Sequence, residues 1–232
     1  KVFVMKLSSR VRYPFLALAI AIGVGSIGLQ VTRQASDAQA LPLPEDLVVD
    51  FSEIEDPTVG SENAPVSIIE YASFTCSHCA NFSKDTFPRL KEDFIDTGEV
   101  QFSVREIFTH KAGLWASQIA RCGTKEKYFP VAKDIFLTFD QWTKADSDDE
   151  MLRMLSMIGE GHGLTKEEVD ACVADEDMAK ALVLRSSGLA EADSVRGTPT
   201  LIINGELVRN QPYEKLKPII EEAVRSASRG DL

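Results

Sequence analysis

The sequence is poor in the side chains that binding sites for metals and nucleic acids require. Its 232 residues include only four cysteines and three histidines, and 25 basic side chains stand against 36 acidic ones. The formal charge of −11 is opposite in sign to the basic stripes that bind nucleic acid, so we expect no nucleic-acid partner. Only Cys76 and Cys79 form a close pair, whereas structural zinc sites usually take two such pairs. We therefore expect no metal and no cofactor, with a zinc half-site as the alternative.

Long hydrophobic runs are also scarce. The longest, at 15–29, falls short of the roughly 20 residues of a comfortable membrane span. Several basic side chains precede this run, and an A-x-A sequence follows it at 38–40. This combination predicts a secretory signal peptide over 1–40, and an uncleaved signal anchor is the alternative. Either interpretation predicts that residues 41–232 are exported, in a bacterium to the periplasm.

The 192 residues of the exported part suit one domain with an insertion. They carry 20 basic and 35 acidic side chains, a formal charge of −15 that favours solubility without indicating a partner. A chain of this length buries a core large enough to fold without covalent staples. An even number of cysteines in an oxidising compartment invites pairing, so at least one pair is available for chemistry. Residues 41–56 lack periodicity and are interpreted as a leader.

A β-α-β pattern follows the leader. Apolar and β-branched residues over 65–74 predict a buried strand, and alternation over 100–108 predicts a second one. Between them, apolar residues at helical spacing predict a helix over 79–98, kinked at Pro88 and stopped at Gly98. The two close cysteines therefore lie at the turn between the first strand and its helix.

Helical periodicity then dominates residues 111–193, which are interpreted as an all-helical insertion. Asp148 and Thr165 are the expected N-caps of two of its helices, because each precedes an apolar-periodic segment. Glu168 stands three residues after Thr165, at the position that completes a capping box.

The pattern returns to strands in the last part of the domain, 194–232. Residues 198–209 predict a β-hairpin with Asn204 and Gly205 at its turn. An amphipathic helix over 212–228, starting with Pro212, closes the chain. Strand, helix, strand, helical insertion, hairpin and helix together predict an α/β fold: a thioredoxin-like fold with an inserted all-helical subdomain.

The position of the cysteines at a helix start predicts different roles for them. Free N–H groups and the positive end of the helix stabilise an anion at Cys76, so this residue is the expected thiolate. Cys79, one turn later, is the expected resolving partner. A thiolate attacks disulfides whereas a thiol does not, so the pair is predicted to be redox-active. An inert structural bridge is the alternative.

The segment APVSIIEYASFTCSHCANF, together with GTP at 197–199, resembles the DsbA family of thiol:disulfide oxidoreductases. The pattern can be followed over 57–228, with 57–110 and 194–232 as the two thioredoxin-like parts around the insertion. The resemblance implies that His78 lowers the pKa of Cys76 through a hydrogen bond or its positive charge. An exposed histidine without effect is the alternative. Ser77 stands where DsbA of enteric bacteria has proline, so the resemblance leaves the redox potential open by tens of millivolts, where roughly 30 mV corresponds to 1.4 kcal/mol.

Glu70 is the one acidic residue in the first strand, on the face opposite Ile69 and Tyr71. A buried carboxylate must be protonated or paired, and Arg105 in the next predicted strand is a candidate partner. The resemblance implies that Glu70 accepts the proton of Cys79. A solvated position at the edge of the sheet is the alternative.

The resemblance also implies roles for the hairpin start and the remaining cysteines. Thr198 and Pro199 match the family's cis-proline loop, which lies against the cysteine pair, offers backbone groups to an extended substrate and keeps metal from the sulfurs. An ordinary loop proline is the alternative. Cys122 and Cys172 match the second, structural disulfide that some bacterial members carry in the insertion. Two buried unpaired cysteines are the alternative.

These patterns together predict an exported enzyme that donates disulfides to reduced, unfolded exported proteins. The resemblance implies re-oxidation by a DsbB-like membrane quinone reductase, and we expect a monomer, with an N-terminal membrane anchor if the signal is not cleaved. One alternative is a disulfide reductase or isomerase of the same fold. Another is a non-catalytic thioredoxin-like binding module, although retention of both cysteines and of the GTP sequence argues against it.

Overall fold

The protein is described from a computed structural model that covers residues 54–230. The predicted signal or anchor over 1–40, and the leader up to residue 53, lie outside the described residues. Within 54–230, no helix has both the length and the apolar character that crossing a membrane requires.

A mixed five-stranded sheet forms the centre of this part of the chain, and its strands have the spatial order β1-β3-β2-β4-β5. Strands β2 and β3 are parallel, and the other neighbouring pairs are antiparallel. The central position of β2 explains its apolar sequence, since neighbours cover it on both edges and helices on its faces. The strands are β1 (Thr58–Val59), β2 (Val66–Ala72), β3 (Val100–Glu106), β4 (Thr200–Ile203) and β5 (Glu206–Arg209).

Helices surround the sheet, and six of those described lie between β3 and β4, where the sequence predicted a helical insertion. The predicted fold class is therefore confirmed. In chain order the α-helices are α1 (Ser77–Asn81), α2 (Phe87–Leu90), α3 (Lys111–Arg121), α4 (Tyr128–Leu137), α5 (Phe139–Trp142), α6 (Asp148–Gly161), α7 (Lys166–Ala174), α8 (Glu176–Ala192) and α9 (Tyr213–Arg229).

The helical segment that follows the cysteine turn contains two π-helical turns, Phe82–Thr86 and Lys91–Ile95. The first of them precedes Pro88, which has no N–H to donate to the preceding turn. A wider turn at this point takes up the missing hydrogen bond without breaking the helix. The sequence predicted a kink at Pro88 but not these π turns.

Two helix starts differ from the predictions. Ser147, and not Asp148, caps α6, because its side chain accepts a hydrogen bond from the Glu150 N–H. Asp148 is the first helical residue, where its charge favours the positive helix end. Pro212 precedes α9 as its N-cap rather than opening it. The capping box predicted at Thr165 is confirmed.

The hairpin turn is confirmed at Asn204 and Gly205, whose φ values are 47° and 87°. Both lie in the left-handed region that a two-residue hairpin turn of this hand requires. The Asn204 side chain accepts a hydrogen bond from the Ser67 N–H at 2.8 Å, which ties the turn to the start of β2.

A disulfide joins Cys122, at the end of α3, to Cys172 within α7. It closes a loop of 50 residues inside the helical insertion, and such a link restricts the unfolded chain. Gln118 adds hydrogen bonds from its side-chain amide to the carbonyls of Cys172 and Asp175. The bridge therefore lies in the scaffold, where it holds two helices of the insertion together.

Candidate active site

The two remaining cysteines lie at the carboxyl end of β2, where the chain turns into α1. Cys76 is the N-cap residue of α1, with extended backbone, and Cys79 lies within its first turn. Both are free thiols in this structure; Cys76 is partly exposed and Cys79 is fully buried. The Ser73 N–H lies 3.5 Å from Cys79 Sγ, so the buried sulfur also has a backbone donor. The arrangement offers one sulfur to a partner and keeps the other behind it.

The surroundings of the pair shift the two thiol pKa values in opposite directions. A hydrogen bond from the Cys79 thiol, another from the Thr198 side chain and the backbone N–H groups of Cys79 and His78 outweigh burial and lower the pKa of Cys76 to about 5. The hydrogen bond to Cys76, burial and the charge of Glu70 raise the pKa of Cys79. At neutral pH the reduced pair therefore holds one thiolate, on Cys76, and one thiol, on Cys79.

His78 acts on the thiolate through its backbone N–H, a contribution that depends on helix geometry and not on the imidazole. His78 itself is exposed and lines two surface depressions, one of which also includes the cis-proline loop. The sequence pointed to this residue for its ring, whereas the amide would be present with any non-proline residue at this position. A further role of the ring remains a proposal.

Glu70 is buried on the side of the sheet that carries the cysteines. Burial, and then the charge of the Cys76 thiolate, raise the pKa of Glu70 to about 8. The carboxyl group is therefore mostly protonated at neutral pH and close enough to both sulfurs for their charges to interact. The solvated-edge alternative is wrong, since only 6% of Glu70 is exposed.

The predicted pairing of Glu70 with Arg105 is also wrong. In the parallel β2–β3 ladder Glu70 stands opposite Val104, and Arg105 stands opposite Tyr71. Because side chains alternate between the faces of a strand, Arg105 lies on the other face of the sheet from Glu70. Protonation of Glu70, rather than pairing with a cation, avoids the cost of burying its charge.

A small apolar cavity of about 40 Å³ adjoins Glu70. Aromatic and aliphatic side chains make up most of its lining, but Ser83 and the exposed Lys133 also reach it. The Ser83 hydroxyl and the Lys133 ammonium group therefore line the same small space as the Glu70 carboxyl group.

A second buried carboxylate, Glu106, lines the same cavity, but it is fully paired. Arg121 forms two hydrogen bonds with Glu106, at 2.8 and 2.6 Å, and Ser117 and Tyr128 each donate a hydroxyl at 3.1 Å. This group is part of the scaffold, since its lone pairs are already engaged. Glu106 is thus fixed by these partners, and Glu70 is the carboxyl group whose charge interacts with the two sulfurs.

The loop before β4 lies against Cys76. The Thr198–Pro199 peptide bond is cis, and the Cys76 thiol lies 3.4 Å from the Thr198 carbonyl oxygen. Pro199 itself is buried. The loop therefore forms one wall of the site and presents backbone groups next to the exposed sulfur.

A polar network on the opposite face of the sheet holds the start of this loop. Asp193 accepts hydrogen bonds from the Tyr71 hydroxyl at 2.6 Å and from Arg105 at 2.8 Å. Arg105 also bonds Asp56 at 2.8 Å, and Arg185 pairs with the other oxygen of Asp56 at 2.7 Å. The end of the leader is thus joined, through β3, to the segment that leads into the loop.

Sequence reasoning missed Asp56 and Asp193 as members of the site's support. Tyr71 and Arg105 could have been assigned to one face, because both lie one position after the residues facing the cysteines, Glu70 and Val104. Asp56 comes from the leader, which lacks periodicity, and Asp193 lies at the end of the last helix of the insertion. Periodicity does not indicate which side chains either residue contacts.

Among residues 54–230, no group of three or more histidine, cysteine, aspartate or glutamate side chains is arranged to hold a metal ion. The lining of the site instead supports sulfur chemistry. An exposed thiolate, a buried thiol and a protonated carboxyl group lie together beside a loop that offers backbone hydrogen bonds.

Comparison with known proteins gives a family and several relatives. The family model described as Thioredoxin matches residues 52–222. A putative protein-disulfide oxidoreductase of Rickettsia bellii is 30% identical over 173 residues, which cover 74% of this chain and 66% of the relative. Disulfide bond formation protein D of Bacillus subtilis is 26% identical over 175 residues, covering 73% of this chain and 77% of the relative.

Solved structures agree with these sequence relatives. Wolbachia pipientis alpha-DsbA1 superposes with a TM-score of 0.70 at 25% identity, covering 83% of this chain and 97% of that one. BdbD of Bacillus subtilis, in its oxidised form, gives a TM-score of 0.64 at 24% identity, covering 73% and 93% of the two chains. The fold is therefore shared with DsbA proteins.

Fold and site together define a thioredoxin-like domain of the thiol–disulfide oxidoreductase class, with a helical insertion as in DsbA proteins. The chain belongs to the thioredoxin family, as the match over 52–222 shows. It spans about two thirds of the length of the rickettsial relative.

Proposed function

We propose that the protein is an exported enzyme that donates disulfides to reduced, unfolded proteins. The observation that carries the proposal is the division of the pair into an exposed low-pKa sulfur and a buried high-pKa one. A sulfur whose thiolate is stable leaves readily, which favours release of Cys76 from a mixed disulfide. Similarity to proteins named for disulfide bond formation supports the same direction.

The first step would begin with the oxidised Cys76–Cys79 pair. A substrate thiolate attacks Cys76 Sγ, and a mixed disulfide forms as the bond between the two enzyme sulfurs breaks. Cys79 takes the electron pair and, because its thiolate is disfavoured, a proton. Glu70 is the proposed donor of that proton, since its pKa of about 8 keeps it protonated at neutral pH.

The second step would return the substrate as a disulfide. Another substrate thiolate attacks the substrate sulfur of the mixed disulfide, and Cys76 leaves as a thiolate. Two electrons have then passed from two substrate thiols to the enzyme, which remains reduced. During both steps the Thr198 backbone, 3.4 Å from Cys76 Sγ, would align an extended substrate chain beside the sulfur.

Three further parts of the proposal concern the setting of the enzyme. The N-terminal signal or anchor pattern supports export to the periplasm. A reduced enzyme must be re-oxidised, and a DsbB-like membrane quinone reductase is the proposed acceptor, in keeping with the family resemblance. We propose a monomer, since the site is built from one chain.

Oxidation of an unfolded two-cysteine protein tests the proposed direction. The oxidised full-length enzyme is expected to remove two substrate thiols per active-site disulfide, and faster than oxidised glutathione does at the same disulfide concentration. Because exchange leaves the total number of thiols unchanged, the thiols of the substrate and of the enzyme are alkylated at timed intervals and counted separately by mass spectrometry.

Two other results would contradict the proposal, each in a distinct way. Rapid insulin reduction with no oxidation of the unfolded protein would identify a reductase. Neither reaction above the glutathione background would identify a binding module that kept the fold.

A further inference from the structure

A surface depression of about 550 Å³ lies beside the cis-proline loop and carries two arginines. Its lining includes His78 and Thr198, the loop residue whose carbonyl lies 3.4 Å from Cys76 Sγ. Arg196 and Arg209 line the same depression and are exposed. A substrate chain that brings its sulfur to Cys76 would therefore pass close to both guanidinium groups.

The two arginines lie on either side of the reactive sulfur's contact with the loop. Arg196 stands two residues before Thr198 in the chain. Thr200 stands two residues after Thr198, and Arg209 is its partner in the β4–β5 ladder. Leu207 alternates with Arg209 onto the same face of β5, so an apolar side chain adjoins the basic one. We call this surface the basic groove; it consists of Arg196, Leu207, Arg209 and the cis-proline loop.

These arginines differ from the others in the described part of the chain. Neither Arg196 nor Arg209 has a carboxylate partner there, and no described residue that lines the groove is acidic. The remaining seven described arginines all form ion pairs. Two unpaired cations at the mouth of the site are unexpected in a protein whose formal charge is −11.

A neighbouring depression of about 530 Å³ shares His78 with the basic groove but has a different charge pattern. Its lining includes Asp85, and its arginine, Arg89, is paired with Glu214 at 2.6 Å. Of the two depressions that His78 lines, only the basic groove therefore has arginines without a carboxylate partner among the described residues.

We infer that the basic groove selects substrate segments in which acidic residues flank the reacting cysteine. The inference rests on the proposed function and names its preferred substrate class. Carboxylates a few residues from the cysteine would approach Arg196 and Arg209, whose guanidinium groups form bidentate hydrogen bonds with carboxylates. The net negative charge of the protein repels acidic substrate segments at long range and attracts basic ones. The contacts with the two arginines must therefore outweigh this long-range effect.

The test compares two blocked peptides that differ only in the charge next to Gly-Cys-Gly, one with aspartates and one with lysines. Each is reacted in excess with the oxidised full-length enzyme, and appearance of the Cys76 thiolate is followed by its ultraviolet absorbance. Each rate is divided by the peptide's rate towards uncharged 2,2′-dithiodipyridine, because flanking charges change the peptide's own thiol pKa. The readout is the ratio of the two corrected rates.

The wild-type enzyme is expected to react about fivefold faster with the acidic peptide, as two exposed charge pairs allow. In the double variant R196Q/R209Q the ratio should fall below one, since only the acidic body then acts. The control R153Q/K180Q makes the same change in net charge outside the groove and should keep the wild-type ratio. Raising the salt to about 0.5 M should bring the wild-type ratio towards one.

Equal corrected rates in the wild-type enzyme would overturn the inference while leaving the proposed function in place. An unchanged ratio in R196Q/R209Q would overturn it as well. If that variant does not fold, the salt series decides, because a preference that salt leaves unchanged contradicts a charge-based groove. Failure to oxidise either peptide would instead overturn the proposed function, and the groove's role with it.

Discussion

Replacing Cys76 with serine is expected to reduce thiol–disulfide exchange to the uncatalysed background, whereas replacing Cys79 is expected to trap mixed disulfides. Cys76 is the partly exposed sulfur at the start of α1, with a pKa of about 5, so it is the atom that substrates reach. Cys79 is fully buried, and its role is to resolve the mixed disulfide from behind. Without it, a substrate bound to Cys76 is released only when a second substrate thiol or another molecule attacks the mixed disulfide, so mixed disulfides accumulate.

Both variants can be compared on non-reducing gels after incubation with reduced unfolded proteins and oxidised glutathione, alongside insulin reduction rates. Glutathione first forms a mixed disulfide with Cys76, and a substrate thiolate then displaces it as reduced glutathione. The control is the double variant Cys122→Ala and Cys172→Ala, which removes the other two sulfurs of the cysteine set, both in the helical insertion. It should be less stable but should retain exchange. Trapped partners with Cys76→Ser, and an inactive Cys79→Ser, would reverse the assigned roles.

The second large effect concerns stability, which should depend on redox state and on pH together. The reduced protein carries the Cys76 thiolate, and the folded pKa of about 5 lies below the unfolded value near 9. A depressed folded pKa stabilises the fold fully above the unfolded value, and the gain disappears as pH falls through the folded value. At pH 7 the reduced form should therefore hold an advantage that is lost by about pH 4.

Because Cys76 is partly exposed, solvent screening limits the advantage at pH 7 to about 1–2 kcal/mol. For a chain of this size, about 2–8 °C in melting temperature corresponds to that range. The oxidised form has no thiolate and gains nothing from it. The short disulfide does restrict the unfolded oxidised chain, but that contribution is independent of pH.

Thermal melts of both redox forms between about pH 4 and pH 8, with the Cys122–Cys172 bridge intact, measure this effect. We expect the reduced form to melt above the oxidised form at pH 7, with the difference shrinking as the pH falls. Cys76→Ser in the reduced state is the control and should lack that pH dependence. A difference that stays constant with pH would mean that no stabilised thiolate exists.

The sequence was sufficient to predict those parts of the fold and site that depend on a short local pattern. The apolar run of β2, followed at once by a cysteine at a helix start, identifies both the strand and the reactive sulfur. The hairpin was equally accessible, because Asn204 and Gly205 suit a backbone that few other pairs adopt. The resemblance to the DsbA family is confirmed by the shared fold and by relatives named for disulfide chemistry.

Other features depend on which face of the sheet a residue occupies, or on segments without periodicity. Arg105 follows Val104, and that one-residue difference places it across the sheet from Glu70. Asp56 belongs to the predicted leader, yet it pairs with Arg105 and Arg185. The sequence alone does not show how neighbouring strands are aligned or where the leader packs, so these contacts could not be predicted.

The contribution of His78 shows a different limit. Sequence reasoning assigns chemistry to side chains, whereas part of the stabilisation of the Cys76 thiolate comes from backbone N–H groups and from the buried Cys79 thiol. These donors follow from the helix start and not from the residue types between the cysteines. The number and direction of such donors become visible only when the turn is built.

The redox potential of the Cys76–Cys79 pair, measured in glutathione buffers with the insertion disulfide intact, tests the central claim most directly. A disulfide donor with a stabilised thiolate should have a potential well above that of thioredoxin, towards the value of about −120 mV that characterises DsbA. We expect a potential above roughly −200 mV. A value near −270 mV, as in thioredoxin, would contradict the assignment as a donor and indicate a reductase.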